Sequence, residues 1–339
     1  MPELRLNHIT KEWVIIATER AKRPEDFKSR GIKKHPPAFL PTCPFCPGNE
    51  SNTPEEVFRI TEGDQWKLRV VPNKFAALHR DAERIRKNAG IKHSISGFGV
   101  HDVIIETPVH NMTTALLPLD RVSEIISTYK KRFIEMHSDS SIGHVIIFKN
   151  HGESAGTSLE HPHSQIIGTP VTPFQIRERI EEALRFFDIT GECLVCKTTA
   201  EEKAEGARVV FETEHFLAFI PYAAISAFHT WIFPKRHAAS FSDITEAEIP
   251  DLALNLKTVL AKLYFGLNNP DFNYTIRSNK PRDSRSESFH WYMSIVPRVS
   301  TTAGFELGSG MFINTSLPEE SAKFLREVSV PLPNENPAL

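Results

Sequence analysis

The four cysteines of this sequence form two C-x-x-C pairs, Cys43/Cys46 and Cys193/Cys196. Four cysteines in a chain of 339 residues are too few for a disulfide framework. Each pair is then half of a metal site, a redox pair or a coincidence. A redox pair normally opens a helix within a thioredoxin-like unit. Pro44, Pro47, Gly48 and Asn49 instead make the first pair a turn, and Gly191 stands just before the second. Two thiolates on a tight turn can chelate one tetrahedral ion, which favours metal.

Further ligands come from a repeat. Ile147-Phe148-Lys149-Asn150 is followed, eleven residues after Asn150, by His161; Ile276-Arg277-Ser278-Asn279 is followed, eleven after Asn279, by His290. On that offset of 129, His163 falls on Tyr292, Gln165 on Ser294, and Ile166-Ile167 on Ile295-Val296. His110, after the apolar run Val103-Ile104-Ile105, matches His237, after Trp231-Ile232-Phe233, at 127. Val71-Pro72 matches Ile220-Pro221 at 149, and the cysteine pairs stand 150 apart. The change of offset implies one insertion in the first copy, near the polar stretch 79–96. Two ligand sets follow: Cys43, Cys46, His110 and His161, then Cys193, Cys196, His237 and His290. Cys2His2 suits a closed tetrahedral zinc, so two structural zinc ions per chain are expected. A lone histidine more often caps a strand or fills a half-polar pocket. Equivalent positions in both copies select the ligand reading.

On a strand, residues i and i+2 share a face. His161, His163 and Gln165 therefore point one way, while Pro162 and Ser164 point the other. A metal on His161 would fix the strand that presents His163. Upstream, Gly152 and Gly156 with Ser154, Thr157 and Ser158 make a small hydroxyl-rich loop, whose N–H and O–H groups can approach phosphate oxygens. A neutral imidazole beside such a loop is a nucleophile for phosphorus. Spacing alone leaves open that His163 only supports the metal site.

The elements that must position these groups also repeat. After His110, Val122, Ile125, Ile126, Tyr129, Phe133 and Met136 fall at helical spacing, with Asp120 as the expected cap. After His237, Thr245 and Glu248 form a capping-box pair before Leu252, Leu256, Val259, Leu260 and Leu263. Strand-like runs follow at 143–148 and 273–277, then a polar loop and the histidine-bearing strand. Each half thus reads as strand, strand, helix, strand, loop, strand: an α+β unit with a mainly antiparallel sheet, duplicated in tandem. A further amphipathic helix is expected over 174–187. The boundary is placed at 185, giving halves 1–185, with the nucleophile, and 186–339, structural and substrate-binding.

Asn150-His151-Gly152 and Ser158-Leu159-Glu160-His161-Pro162-His163-Ser164-Gln165 resemble the active-site motif of galactose-1-phosphate uridylyltransferases, a branch of the histidine triad superfamily. Arg20-Ala21-Lys22-Arg23-Pro24 and Cys43-Pro44-Phe45-Cys46-Pro47-Gly48-Asn49 resemble that family's basic motif and first metal knuckle, so the resemblance covers nearly the whole chain. It implies that His163 attacks the α-phosphorus of a nucleoside diphosphate sugar, and that a second sugar 1-phosphate captures the nucleotidyl-histidine. It assigns Gln165 to the phosphoryl oxygens, Ser158 to the displaced phosphate, Asn73 and Asn150 to the nucleotide, and Arg20 and Arg23 to phosphate or sugar. It also implies a homodimer. Pro162 points to uridylyl transfer from UDP-glucose to galactose 1-phosphate. The second C-x-x-C and the tail Gly304-Phe305-Glu306-Leu307-Gly308-Ser309-Gly310-Met311-Phe312-Ile313-Asn314 look more like a branch that includes ADP-glucose phosphorylases, with Phe305 as the tail's expected substrate contact. Adenylyl transfer is thus the alternative.

Composition trims the other classes. Lys+Arg is 40 against 42 Asp+Glu, a formal net charge of −2, and the basic clusters are short, which excludes a bulk nucleic-acid-binding field. Hydrophobic residues are 40% and charged residues 24%, with no apolar run near the ~20 residues of a membrane span. Met1-Pro2-Glu3-Leu4-Arg5 opens no signal peptide, so the cytoplasm is the expected compartment. A histidine-triad hydrolase would carry a third histidine at position 165, where this chain has Gln. A non-enzymatic zinc module would need interleaved basic and aromatic residues on one face.

Overall fold

The computed structural model describes residues 1–18, 23–28, 36–283 and 287–331. In chain order the first half carries β1 (Glu3–Leu6), β2 (Trp13–Ile16), β3 (Phe58–Glu62), β4 (Gln65–Pro72), β5 (Arg86–Ala89), β6 (Lys92–Ile95), β7 (Val100–Ile105), α1 (Leu119–His137), β8 (His144–His151) and β9 (His163–Thr169). Next comes α2 (Phe174–Thr190), inside which the expected boundary at 185 falls, and then α3 (Leu194–Glu205), β10 (Val209–Glu212), β11 (Phe216–Phe219), β12 (Thr230–Pro234), α4 (Glu248–Leu267), β13 (Phe272–Arg277), β14 (Tyr292–Pro297), α5 (Gly304–Ser309), β15 (Phe312–Asn314) and α6 (Pro318–Glu327). No helix among the described residues is long and apolar enough to cross a membrane.

The fold is α+β, and its main sheet reads the same from both ends. Its ten strands run β10-β11-β12-β14-β13-β8-β9-β7-β4-β3, so each strand has its repeat equivalent at the mirrored place. At the centre β8 and β13 pair antiparallel, with Ile147 opposite Ile276, its own equivalent. A local two-fold therefore passes between these residues, and the halves share one sheet. The sequence reading omits one strand per half, the short leading β3 and β10. The expected insertion is the hairpin β5–β6, whose residues are all exposed. A separate three-stranded sheet joins β1 and β2 to β15, tying the N-terminal segment to the tail.

Both repeat helices cover one face of the sheet. Val122, Ile125, Ile126, Tyr129, Phe133 and Met136 of α1 and Leu252, Leu256, Val259, Leu260 and Leu263 of α4 are buried in the main core with alternate residues of the strands. The caps differ from expectation at α1. Pro118 is its N-cap, and Asp120 lies in the first turn, where it can favour the helix dipole without capping. At α4 the Thr245–Glu248 exchange is present, in the turn leading to the N-cap Ala247: Thr245 N–H donates to Glu248 Oε2 (2.8 Å), and Glu248 N–H to Thr245 Oγ1 (3.2 Å). The helix expected over 174–187 is α2, which ends at Gly191 in the left-handed conformation (φ 69). It packs Ile176, Ile180 and Ala183 over the other face of the sheet, near Ile146.

Candidate active site and metal centres

That other face carries the candidate site residues. Gln165 lies opposite Val103 and Phe148, while His101 lies opposite Ile167, so His101, Val103, His163 and Gln165 share it. His161 sits just before β9, not within it.

The structure brings both expected ligand sets together, and within each the four candidate ligand atoms lie within 4.8 Å of one another. In the first, His161 Nδ1 is 3.7 Å from both Cys43 Sγ and Cys46 Sγ, and His110 Nδ1 is 3.5 Å from Cys46 Sγ. In the second, His237 Nδ1 and His290 Nδ1 each lie 3.4 Å from Cys196 Sγ. Bonds of zinc length to S and N at a tetrahedral angle put S and N about 3.6 Å apart, so the donor sets fit a tetrahedral ion. His161 Nε2–H donates to Thr107 O (2.7 Å), which leaves the lone pair on Nδ1, facing the thiols. Burial pushes this imidazole down to about 4, so it is neutral at pH 7. Burial raises the Cys43 thiol. Hydrogen bonding from Cys196 pulls the Cys193 thiol far down. The second cysteine pair does open a helix, with Cys193 as the N-cap of α3. Two imidazoles closing on its thiols distinguish it from a redox pair.

His163 is buried and donates Nδ1–H to the carbonyl of His161 (2.8 Å). Phe45 of the first cysteine turn packs edge-on against the rings of both His161 (6.0 Å) and His163 (5.4 Å). The lone pair of His163 is therefore on Nε2, and burial lowers its pKa, keeping the imidazole neutral. Asn150 is held from the second half: Asn273 Nδ2 donates to its Oδ1 (2.8 Å) and to Ala155 O (2.8 Å). Asp271 accepts from Ser154 N–H (2.9 Å) and Ser154 Oγ–H (2.7 Å). Gly152, at φ 85, passes so close that a Cβ there would lie 2.0 Å from Asp271 Oδ1. The loop before His161 is thus clamped by β13 and the residue preceding it. Behind β8, on the helix side, Lys149 and Glu106 form a fully buried ion pair, with Glu106 also accepting from Thr114 Oγ1 and Tyr129 OH.

Other expected residues are more loosely placed. Ser158 is exposed on the clamped loop, and Arg23 is exposed at the start of the turn Pro24–Phe27. Arg20 lies outside the described residues. Phe305 is 48% exposed on α5. Asn73 follows β4, its N–H on His101 O (2.8 Å) and its Nδ2 3.1 Å from His101 Nε2. The sequence reading missed His101, Asp271 and Asn273. Asp271 and Asn273 act across the junction of the copies, which no motif within one half records.

The N-terminal domain of galactose-1-phosphate uridyl transferase matches residues 1–173, and the C-terminal domain matches residues 178–329. The ADP-glucose phosphorylase of Arabidopsis thaliana is 38% identical over 334 residues, 97% of this chain and 93% of that protein. The galactose-1-phosphate uridylyltransferase of Thermotoga maritima is 30% identical over 341 residues, 97% and 99% of the two chains. Among solved structures, the Arabidopsis ADP-glucose phosphorylase with bound ADP-glucose superposes with a TM-score of 0.83 at 36% identity, covering 98% of this chain and all of that one. A uridylyltransferase gives 0.75 at 25% identity, covering 96% and 97%. With both halves matched and such relatives along nearly its whole length, the chain belongs to the galactose-1-phosphate uridyl transferase family.

Proposed function

We propose that the chain transfers a nucleotidyl group from a nucleoside diphosphate sugar through a covalent nucleotidyl-His163. The observation that carries this reading is the His163 ring, neutral, with its proton held on Nδ1 by a main-chain carbonyl and its Nε2 lone pair without a donor among the described residues. Nε2 bonds to the α-phosphorus as the bond from that phosphorus to the bridging oxygen breaks, and the electron pair leaves with the sugar 1-phosphate. The positive charge then on the ring is spread toward Nδ1–H, whose carbonyl partner stabilises it. An acceptor phosphate oxygen reverses the step and frees the histidine. This is covalent catalysis with ping-pong kinetics. Gln165, Asn73, Asn150 and Ser158 are assigned to the phosphoryl oxygens and nucleotide, Arg20, Arg23 and Phe305 to the remaining substrate contacts. Zinc at each Cys2His2 set, two per chain, would be structural, since all four positions are filled by protein.

For the base, the 38% identity to a plant ADP-glucose phosphorylase supports adenylyl transfer from ADP-glucose, with inorganic phosphate as acceptor and ADP and glucose 1-phosphate as products. Pro162 between the two histidines favours the second reading, uridylyl transfer between UDP-glucose and galactose 1-phosphate. Incubation with ADP-glucose or with UDP-glucose, without acceptor, followed by intact mass tests both. A gain of one AMP is expected and is absent from His163→Ala; a gain of UMP alone selects the second reading. No covalent nucleotide from either donor would sink the proposal.

A further inference from the structure

We propose that His101 is the positioning residue that decides which end of the Gln165 amide faces the reacting phosphorus. The inference rests on the reading above, in which Gln165 serves the phosphoryl oxygens. Ala77 N–H donates to His101 Nδ1 (3.2 Å). A backbone N–H cannot be turned round, so Nδ1 is unprotonated and the ring proton sits on Nε2. Nε2–H then donates to Gln165 Oε1 (2.7 Å). The carbonyl end of the amide is thereby taken, and the amide nitrogen of Gln165 has no protein acceptor among the described residues. Only that orientation offers N–H donors to the phosphoryl oxygens. A flipped amide would turn oxygen lone pairs toward them, which repels, and an unrestrained terminal amide visits both orientations.

Asn73 beside the same ring is oriented by the main chain instead. Phe75 N–H donates to Asn73 Oδ1 (2.9 Å), so Asn73 Nδ2 is the end near His101. It lies 3.1 Å from Nε2, which carries the proton and cannot accept from it. Both amides thus keep their N–H groups for other acceptors.

The second half supplies an internal control. Trp231 pairs with Ser294 as Val103 pairs with Gln165, and His229 precedes Trp231 by two residues as His101 precedes Val103. His229 Nε2 lies 2.9 Å from Ser294 Oγ, the equivalent contact. There His229 Nδ1 has no hydrogen-bond partner among the described residues. The partner is a hydroxyl with no ends to choose between, and Tyr292 occupies the nucleophile's place. Among the described residues, the lock from a backbone N–H therefore stands at His101 and not at His229.

The test is the single-turnover rate of nucleotidyl-enzyme formation from whichever of ADP-glucose and UDP-glucose labels the protein, with melting curves as the folding control. Gln165→Ala is expected to slow it ~10²-fold, the typical loss for one donor to a developing charge. His101→Met keeps the bulk but lacks the donor, and should slow it ~10-fold. His101→Gln, which can place an amide N–H at the same reach, should recover most of the rate, and His229→Met should leave it intact. Combined with Gln165→Ala, His101→Met should cost nothing more, because the two act as one unit. If the double variant loses the full extra ~10-fold, or His229→Met is equally slow, His101 acts by packing and the inference falls. If His101→Met does not fold, His101→Asn, too short to reach Gln165, takes its place in the same comparison. If Gln165→Ala is as fast as the parent, the reading of Gln165 fails first, and the two failures are told apart by that single variant.

Discussion

A histidine that attacks phosphorus needs one nitrogen unprotonated and aimed, and it needs the other to carry its proton somewhere fixed. For His163, the proposed attacker, that place is the carbonyl of His161, two residues away and itself a candidate metal ligand. Gln165 completes the row with a group that cannot titrate. An imidazole at 165 could deliver a proton to a departing group or align water, a general acid–base contribution of about 10²-fold. Gln165→His is therefore expected to slow transfer to the acceptor phosphate and to raise the share of intermediate lost to water. Partitioning of labelled intermediate in a single turnover measures it; parental partitioning would make Gln165 a positioning group only. His163 and Gln165 were legible because they alternate on one strand, a local pattern of period two. His101 was not, since its partner lies 64 residues on and only the register of β7 against β9 brings them together. The repeat held the one available signal, a histidine again at 229.

Between residue and fold, the two ligand sets fasten different elements. The first joins the turn at Cys43–Cys46 to the loops after β7 and before β9; the second joins the start of α3 to the loops after β12 and before β14. Only the first includes His161, whose carbonyl accepts the Nδ1 proton of His163, the proposed nucleophile. If zinc occupies both, the parent should contain two ions per chain, and Cys43→Ser and Cys193→Ser one each, by elemental analysis. Both variants should melt ~5 °C or more below the parent, since ion binding contributes to folding free energy. They should part on chemistry: Cys193→Ser keeps forming the covalent nucleotide, while Cys43→Ser loses most of it. Equal activity in the two would show that the first set does not govern His163. The elements themselves were readable where periodicity is long, as in α1 and α4. They were not where a piece is short and its partners set it: β3 and β10 exist by pairing with β4 and β11, and α3 has almost no amphipathic pattern, so the second cysteine pair gave no warning that it opens a helix.

At the scale of the whole molecule the repeat becomes one sheet, closed through Ile147 and Ile276, and this was only half visible. Equal spacing in two copies announces duplication, but which edges join is settled by antiparallel pairing between equivalent strands, and no residue pattern within a copy states it. Burying that shared sheet from both sides also takes histidines out of water in both halves. His144 opens β8 and is pushed down to about 4 by burial, helped by His137 and Arg277; His229 stands before β12 and is pushed down to about 3 by burial, with Arg179 and Arg277 near. An unfolded histidine takes its proton near 6.5. Above that value the two states bind the same number of protons at these sites and nothing is gained or lost. As pH falls from 6.5 toward 4 the unfolded chain binds protons that the fold refuses, so stability must fall with pH across this window. His144 alone accounts for about 3 kcal/mol by pH 4. The unfolding free energy of His144→Gln, which cannot titrate, should therefore fall less steeply than the parent's between pH 6.5 and 4, and His229→Gln should behave the same way. Protonation of the ligand histidines adds to the acid loss in parent and variants alike and cancels in the comparison. Parallel curves across that window for both variants would mean that these two side chains reach water in the folded protein, and that the sheet is less tightly closed than its packing implies.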